Sequence, residues 1–163
     1  MTDRSVPDGE SLRRALDSSV TVGVSEFADL VDGWSELDAV GEICGVLLLV
    51  RGADAAAAEV VAVLAGLADV LDVVGPVDEV IAGALVDVTD QDPVALAVEL
   101  HDQVRARTGS ATWVVATSVR AASRGVVLAR GRASLDQALA RRAGAVVGPD
   151  GAVVDPRGTL DEA

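Results

Sequence analysis

Three groups of residues in this chain have the types and spacing that chemistry needs. Where the apolar run 43–50 ends, Arg51-Gly-Ala-Asp54 sets a cation and a carboxylate at a strand-to-helix junction, where α/β proteins often hold phosphate. In Gly75-Pro-Val-Asp78-Glu79 two adjacent carboxylates stand in a turn, and hard divalent cations are bound through such oxygens. The plainer reading of Asp78 and Glu79 is a solvated, acidic hairpin tip. Arg120, Arg124, Arg130 and Arg132, with Arg141 and Arg142 close behind, form a basic stretch in an acidic chain. They could receive a phosphate-bearing ligand or an acidic partner, or they could balance the chain's own carboxylates.

The other candidates have ordinary explanations. Asp87, Asp90 and Asp92 cluster before a helical segment; Asp92 followed by Pro93 reads as a helix N-cap with proline at the first helical position. His101 has no obvious catalytic partner nearby in sequence and reads as a structural histidine. Cys44, the only cysteine, leaves no internal disulfide and no cysteine metal cage; at the mouth of an apolar run it is expected to be a buried thiol. Trp34 and Trp113 are expected in the core or at an interface.

Composition narrows the class. The 163 residues suit one domain with a proper core. Half are hydrophobic, yet there is one Phe, two Trp and no Tyr, so the core must be aliphatic. Every basic residue apart from the lone histidine is Arg, a habit of GC-rich genomes rather than a functional signal. The net charge of −13 argues against nucleic acid and against anionic membrane surfaces as partners. No signal peptide and no membrane-length apolar stretch is evident, so the expected location is cytoplasmic.

The elements that must position these residues can be read from periodicity. Residues 1–16 read as a flexible lead-in with a short helix at 12–16, and 155–163 as a tail, leaving one domain over 17–154. After a short extended segment at 20–24, Ser25 is expected to cap a helix carrying Phe27, Leu30, Val31, Trp34 and Leu37 on one stripe. The run 43–50 is a strand buried on both faces. Asp54 is expected to cap a helix over 55–71. Residues 72–74 and 80–88 then form a hairpin, 93–107 a helix and 112–119 a strand. Residues 121–132 are expected to be a loop with a short strand at 125–129, followed by a helix over 134–142 and a terminal hairpin around Gly148-Pro-Asp-Gly151. This order gives an α/β chain of the α+β type, with a mixed, mainly antiparallel sheet flanked by helices.

That order, over roughly residues 17–154, resembles the GGDEF family of diguanylate cyclase domains, in shortened form. "SVTVGVSEFADLVDGW" sits where the family has its entry loop and helix, and "DVVGPVDEVIAGALV" resembles its signature strand-turn-strand. "TWVVATSVRAA" resembles a later strand and "SLDQALARRAGAVV" the closing helix. The resemblance implies a bacterial signalling scaffold. It also implies that the chemistry is gone. The family's cyclases hold two metal ions with an acidic residue at the end of the first strand, and here that position is Arg51. Of the signature only Gly75, Asp78 and Glu79 remain, with Pro76 and Val77 between them where the family uses glycine for close approach to substrate. The family's segment carrying guanine-contacting residues is absent. Arg51 and Asp54 match the spacing of its inhibitory product site but stand at the wrong end of the preceding helix. The expectation is a catalytically inactive regulatory or protein-interaction module with no catalytic residue, metal or cofactor, acting through a protein partner or self-association. The alternative is a sensor of a nucleotide or other phosphate ligand, bound by Arg120, Arg124, Arg130 and Arg132.

Overall fold

The apolar run becomes the middle strand of a sheet. A computed structural model describes residues 20–67, 71–120 and 125–154. In chain order the elements are β1 (Val20–Thr21), α1 (Val24–Ala39), β2 (Gly45–Gly52), α2 (Ala57–Ala65), β3 (Val73–Pro76), β4 (Ala82–Asp87), α3 (Pro93–Thr108), β5 (Thr112–Ser118), α4 (Val126–Ala138), β6 (Ala145–Val147) and β7 (Val153–Val154). The seven strands lie in the order β1-β3-β4-β2-β5-β6-β7. Only β1 with β3 and β5 with β6 are parallel; the other neighbours are antiparallel. The expected mixed, mainly antiparallel sheet is therefore present. Within it β2-α2-β3-β4-α3-β5 forms a βαββαβ unit, the ferredoxin-like arrangement, in which each crossover leaves room for one strand between its own two.

Side chains alternate across the sheet, and β2 shows what that does. Val46, Leu48 and Val50 face the layer built by α2 and α3, where Val60, Leu64, Leu100 and Val104 cover them. Leu47 and Leu49 face the other layer, with Phe27 and Val31 from α1 and Val127 and Leu135 from α4. Both faces are covered, so β2 is written as a continuous apolar run rather than an alternating one.

The only phenylalanine has a dedicated seat. Gly75 and Gly83 pair across β3 and β4. A Cβ on Gly83 would lie 2.5 Å from Phe27 Cζ and 2.6 Å from Cε2, and one on Gly75 would lie 3.2 Å from Phe27 Cδ1. The ring fills the space that two missing side chains leave over the sheet. Gly75 therefore has a packing role within a strand, not the role of a substrate-approach glycine in a turn.

Several local expectations are corrected. The strand extends to Gly52, so Arg51 lies inside it, paired with Trp113, rather than beyond it. The turn consumes residues 53–56, and the next helix starts at Ala57, with Ala56 as N-cap and no side-chain cap. Asp54 does not cap it; the Ala57 N–H donates instead to the Glu79 carbonyl. Ser25 lies inside α1, because the chain is extended only to Gly23, whose N–H donates to Glu26 Oε1. The expected strand at 125–129 is the start of α4. The pair Val126-Val127 suggested a strand, but Val127, Gly131, Leu135 and Ala138 recur at helical spacing and are the buried positions of that helix. Cys44 is exposed, because the strand begins one residue later. The helix at 93–108 starts as expected, with Asp92 Oδ1 accepting the Val94 N–H at 3.0 Å and Pro93 at its first position. The helix expected over 55–71 is shorter at its far end as well, stopping at Ala65 with Gly66 as its C-cap, where glycine's low helix propensity ends it. The lead-in helix at 12–16, the tail 155–163 and Arg124 lie outside the described residues.

Candidate functional site

Arg51 is the last odd-numbered residue of β2, so it stands on the face that carries Leu47 and Leu49, under α4. Gly131 of α4 lies over the neighbouring Leu49 and Leu47: a Cβ there would meet Leu49 Cδ1 at 3.0 Å and Leu47 Cδ2 at 3.5 Å. Trp113 is the cross-strand neighbour of Arg51, and Val50 pairs with Ala82, so Ile81 flanks it on the other side. Trp113 is itself fixed by donating Nε1–H to the Arg141 carbonyl at 2.7 Å. Among the described residues, Arg51 is the one arginine that is not exposed, being half-buried.

Asp78 is engaged by others. Its Oδ1 accepts the N–H groups of Val80 and Ile81, each at 2.8 Å, and its Oδ2 accepts from Arg132 Nη1 at 3.1 Å. Partial burial pushes the Asp78 carboxyl up, but the two N–H donors and the Arg132 charge outweigh it and hold the carboxyl below its ordinary value. An ion pair between Arg51 and Asp78 or Glu79 is the pairing that the sequence suggests across the hairpin. It is not made: Arg132 holds Asp78, and Glu79 is exposed and contributes its main-chain carbonyl to α2.

The arginine stretch does not converge. Arg120 Nε donates to Asp38 Oδ1 at 2.8 Å, and Asp38 Oδ2 accepts the Gly45 N–H at 2.9 Å. Asp38 is 3% exposed; a carboxylate in the last turn of a helix opposes the helix dipole, so these partners offset its burial. Arg130 Nη2 donates to the carbonyls of Ser118 and Arg120, at 2.9 and 2.8 Å. Asp32 Oδ1 accepts the Gly125 N–H at 3.0 Å, at the N-terminus of α4. Arg120 thus fastens the end of β5 to α1 and Arg130 fastens it to α4, while Arg132 reaches the β3–β4 turn near the opposite end of the sheet. Each of the three has an internal partner. Nothing in the sequence marks Asp38 as the partner of Arg120 or Asp32 as the acceptor for Gly125, since both look like solvated helix carboxylates.

A second acidic grouping was also illegible in the sequence. Asp72 Oδ2 accepts the Asp87 N–H at 3.0 Å, and Asp87 Oδ1 accepts from the Thr89 hydroxyl at 2.6 Å, the Thr89 N–H and the Cys44 N–H. Burial raises the Asp72 carboxyl and the Asp87 charge adds to it, against the opposing Asp87 N–H. Burial also pushes Asp87 up, but the Thr89 and Cys44 donors bring it below its usual value. His101 is buried, as a structural histidine. Its Nδ1 lies 3.0 Å from Asp102 Oδ1, which puts the proton of a neutral ring on Nδ1. Nε2 then has no hydrogen-bond partner among the described residues. Buried inside α3, the ring has no access to a substrate.

The two divalent cations that the GGDEF resemblance would bring do not fit these residues. A guanidinium occupies the first-strand position, Asp78 is committed to three donors, and no three acidic, His or Cys side chains gather as a metal group among the described residues. Comparison of the chain with protein-family models, curated proteins and solved structures returns no match. No helix among the described residues is long and apolar enough to cross a membrane.

Proposed function

We propose that this chain is a non-catalytic regulatory or protein-interaction module, a shortened GGDEF-like scaffold that works through its surface rather than by turnover. The observation that carries this reading is the end of β2, where a guanidinium, Arg51, stands at the position for which the resemblance implies a metal-binding acid, while Asp78 of the neighbouring turn is held by Arg132. A cation at that point repels divalent metal, and a carboxylate bound by three donors has little lone-pair capacity left to give one. The reading is tested by incubating the chain with GTP and Mg²⁺ or Mn²⁺ and following nucleotide consumption, alongside sedimentation over a wide range of protein concentration. No turnover together with reversible self-association supports it, and cyclic dinucleotide formation refutes it. The sensor alternative is less well supported, because Arg120, Arg130 and Arg132 each hold an internal acceptor and reach different ends of the sheet instead of converging on one ligand.

A further inference from the structure

We infer that Arg51 is the anion-binding residue of a ligand site at the end of the sheet, on the α1/α4 face, and that the ligand presents a carboxylate or phosphate group. Arg120, Arg130 and Arg132 each have a named acceptor, whereas Arg51 makes no hydrogen bond or ion pair with any described residue. The other arginines without such a bond, Arg105, Arg107 and Arg142, are exposed and water serves them. Arg51 differs in place. Its stem leaves the same strand face as Leu49, and it is flanked by Trp113 and Ile81, which are 6% and 7% exposed.

A guanidinium with apolar neighbours on both sides is partly stripped of water, so an anion meeting it there is bound more strongly than at an open surface. The fold gains nothing from a charge at this register. An aliphatic residue in place of Arg51 would extend the Leu47–Leu49 stripe and bury without cost. Arg132 of α4 reaches the turn next to Ile81, where Asp78 accepts the Ile81 N–H, and it uses Nη1 alone for that carboxylate. Its remaining N–H donors leave a second guanidinium able to share an anionic group. The planar fork of Arg51 suits two-point contact with a carboxylate or a phosphate, and Lys does not reproduce it.

The test uses the full chain at low ionic strength, with calorimetry and thermal shift against inorganic phosphate, adenosine monophosphate and succinate. The phosphate and dicarboxylate arms separate the two sources of the anionic group. At least one probe is expected to bind saturably and raise the melting temperature. Arg51→Leu should weaken that binding by about tenfold or more, Arg51→Lys should restore part of it, and Arg107→Ala should leave it unchanged. Circular dichroism of Arg51→Leu checks that the fold survives, and Arg51→Lys supplies the reading if it does not. The inference is overturned if no probe binds saturably or if Arg51→Leu and Arg51→Lys bind like wild type. Neither result bears on self-association or on GTP turnover, so it stands or falls separately from the interaction reading.

Discussion

Gly83→Ala tests whether the paired glycines of β3 and β4 exist to seat Phe27. A methyl group there would stand 2.5 and 2.6 Å from two carbons of a ring that is fully buried. Ordinary carbon contacts begin near 3.5 Å, so the ring would have to retreat by about 1 Å into a close-packed layer. Overpacking of this kind costs about 1–3 kcal/mol. Replacing a strand glycine by alanine otherwise returns roughly 0.5–1 kcal/mol of backbone entropy. The net expectation is a loss of about 1–2 kcal/mol, which lowers the melting temperature of a chain this size by about 2–8 °C. Urea unfolding followed by the fluorescence of Trp34 and Trp113 reads the effect. The same substitution made in a Phe27→Leu background should be neutral or stabilising, since the shorter side chain vacates the contested space. Equal cost in both backgrounds, or no cost in either, would refute the packing argument and reopen a ligand-approach role for Gly75.

Arg120→Ala strands a nearly buried carboxylate; discounted for an exposed guanidinium, the loss is about 1–2 kcal/mol by urea unfolding, and a change under about 0.5 kcal/mol would show that the Asp38 contact is idle. Asp78 and Asp87 have folded-state carboxyls below their unfolded values, so each contributes stability above the ordinary carboxylate range that is lost as pH falls through it. Asp78→Asn should flatten the acid limb of a stability-versus-pH curve, and an unchanged limb counts against the Arg132 pairing. Asp72 is shifted the other way, so its charge is a cost at neutral pH that disappears on acidification. Asp72→Asn, whose amide oxygen can still accept the Asp87 N–H, should therefore raise stability at pH 7 and converge with wild type in acid. Cys44 is exposed and should react with a thiol-specific reagent in the folded protein without denaturant; a thiol silent until unfolding would contradict its place before β2.

The parts legible in the sequence are those written by periodicity. The run 43–50 announced a doubly covered strand, Asp92-Pro93 announced the start of α3, and the turn residues announced both hairpins. What escaped was set by partners distant in sequence. Asp38 and Asp32 look like surface carboxylates of an amphipathic helix until β5 and α4 arrive beside them. Gly75 looked like the remnant of a turn because nothing local shows that Phe27, far upstream, will need its missing side chain. The start of α4 is hard to read for a local reason: two β-branched residues outweigh a stripe whose second member is a glycine, small enough to escape an apolar count and placed there so that α4 can approach Leu47 and Leu49.

These long-range pairs also explain why one substitution would not give this scaffold the chemistry that the GGDEF resemblance implies. Placing an acid at position 51 would remove the repelling charge, but Asp78 would still be held by the Val80 and Ile81 N–H groups and by Arg132. Pro76 and Val77 are not the small residues a nucleotide would need for close approach to that turn, and Gly75 packs beneath Phe27. The hairpin is a structural element in which the Asp78 carboxylate is committed to the main chain and to Arg132. In that setting Arg51 is the side chain at this end of the sheet whose charge no described group has claimed, so a function at this end would run through an anion.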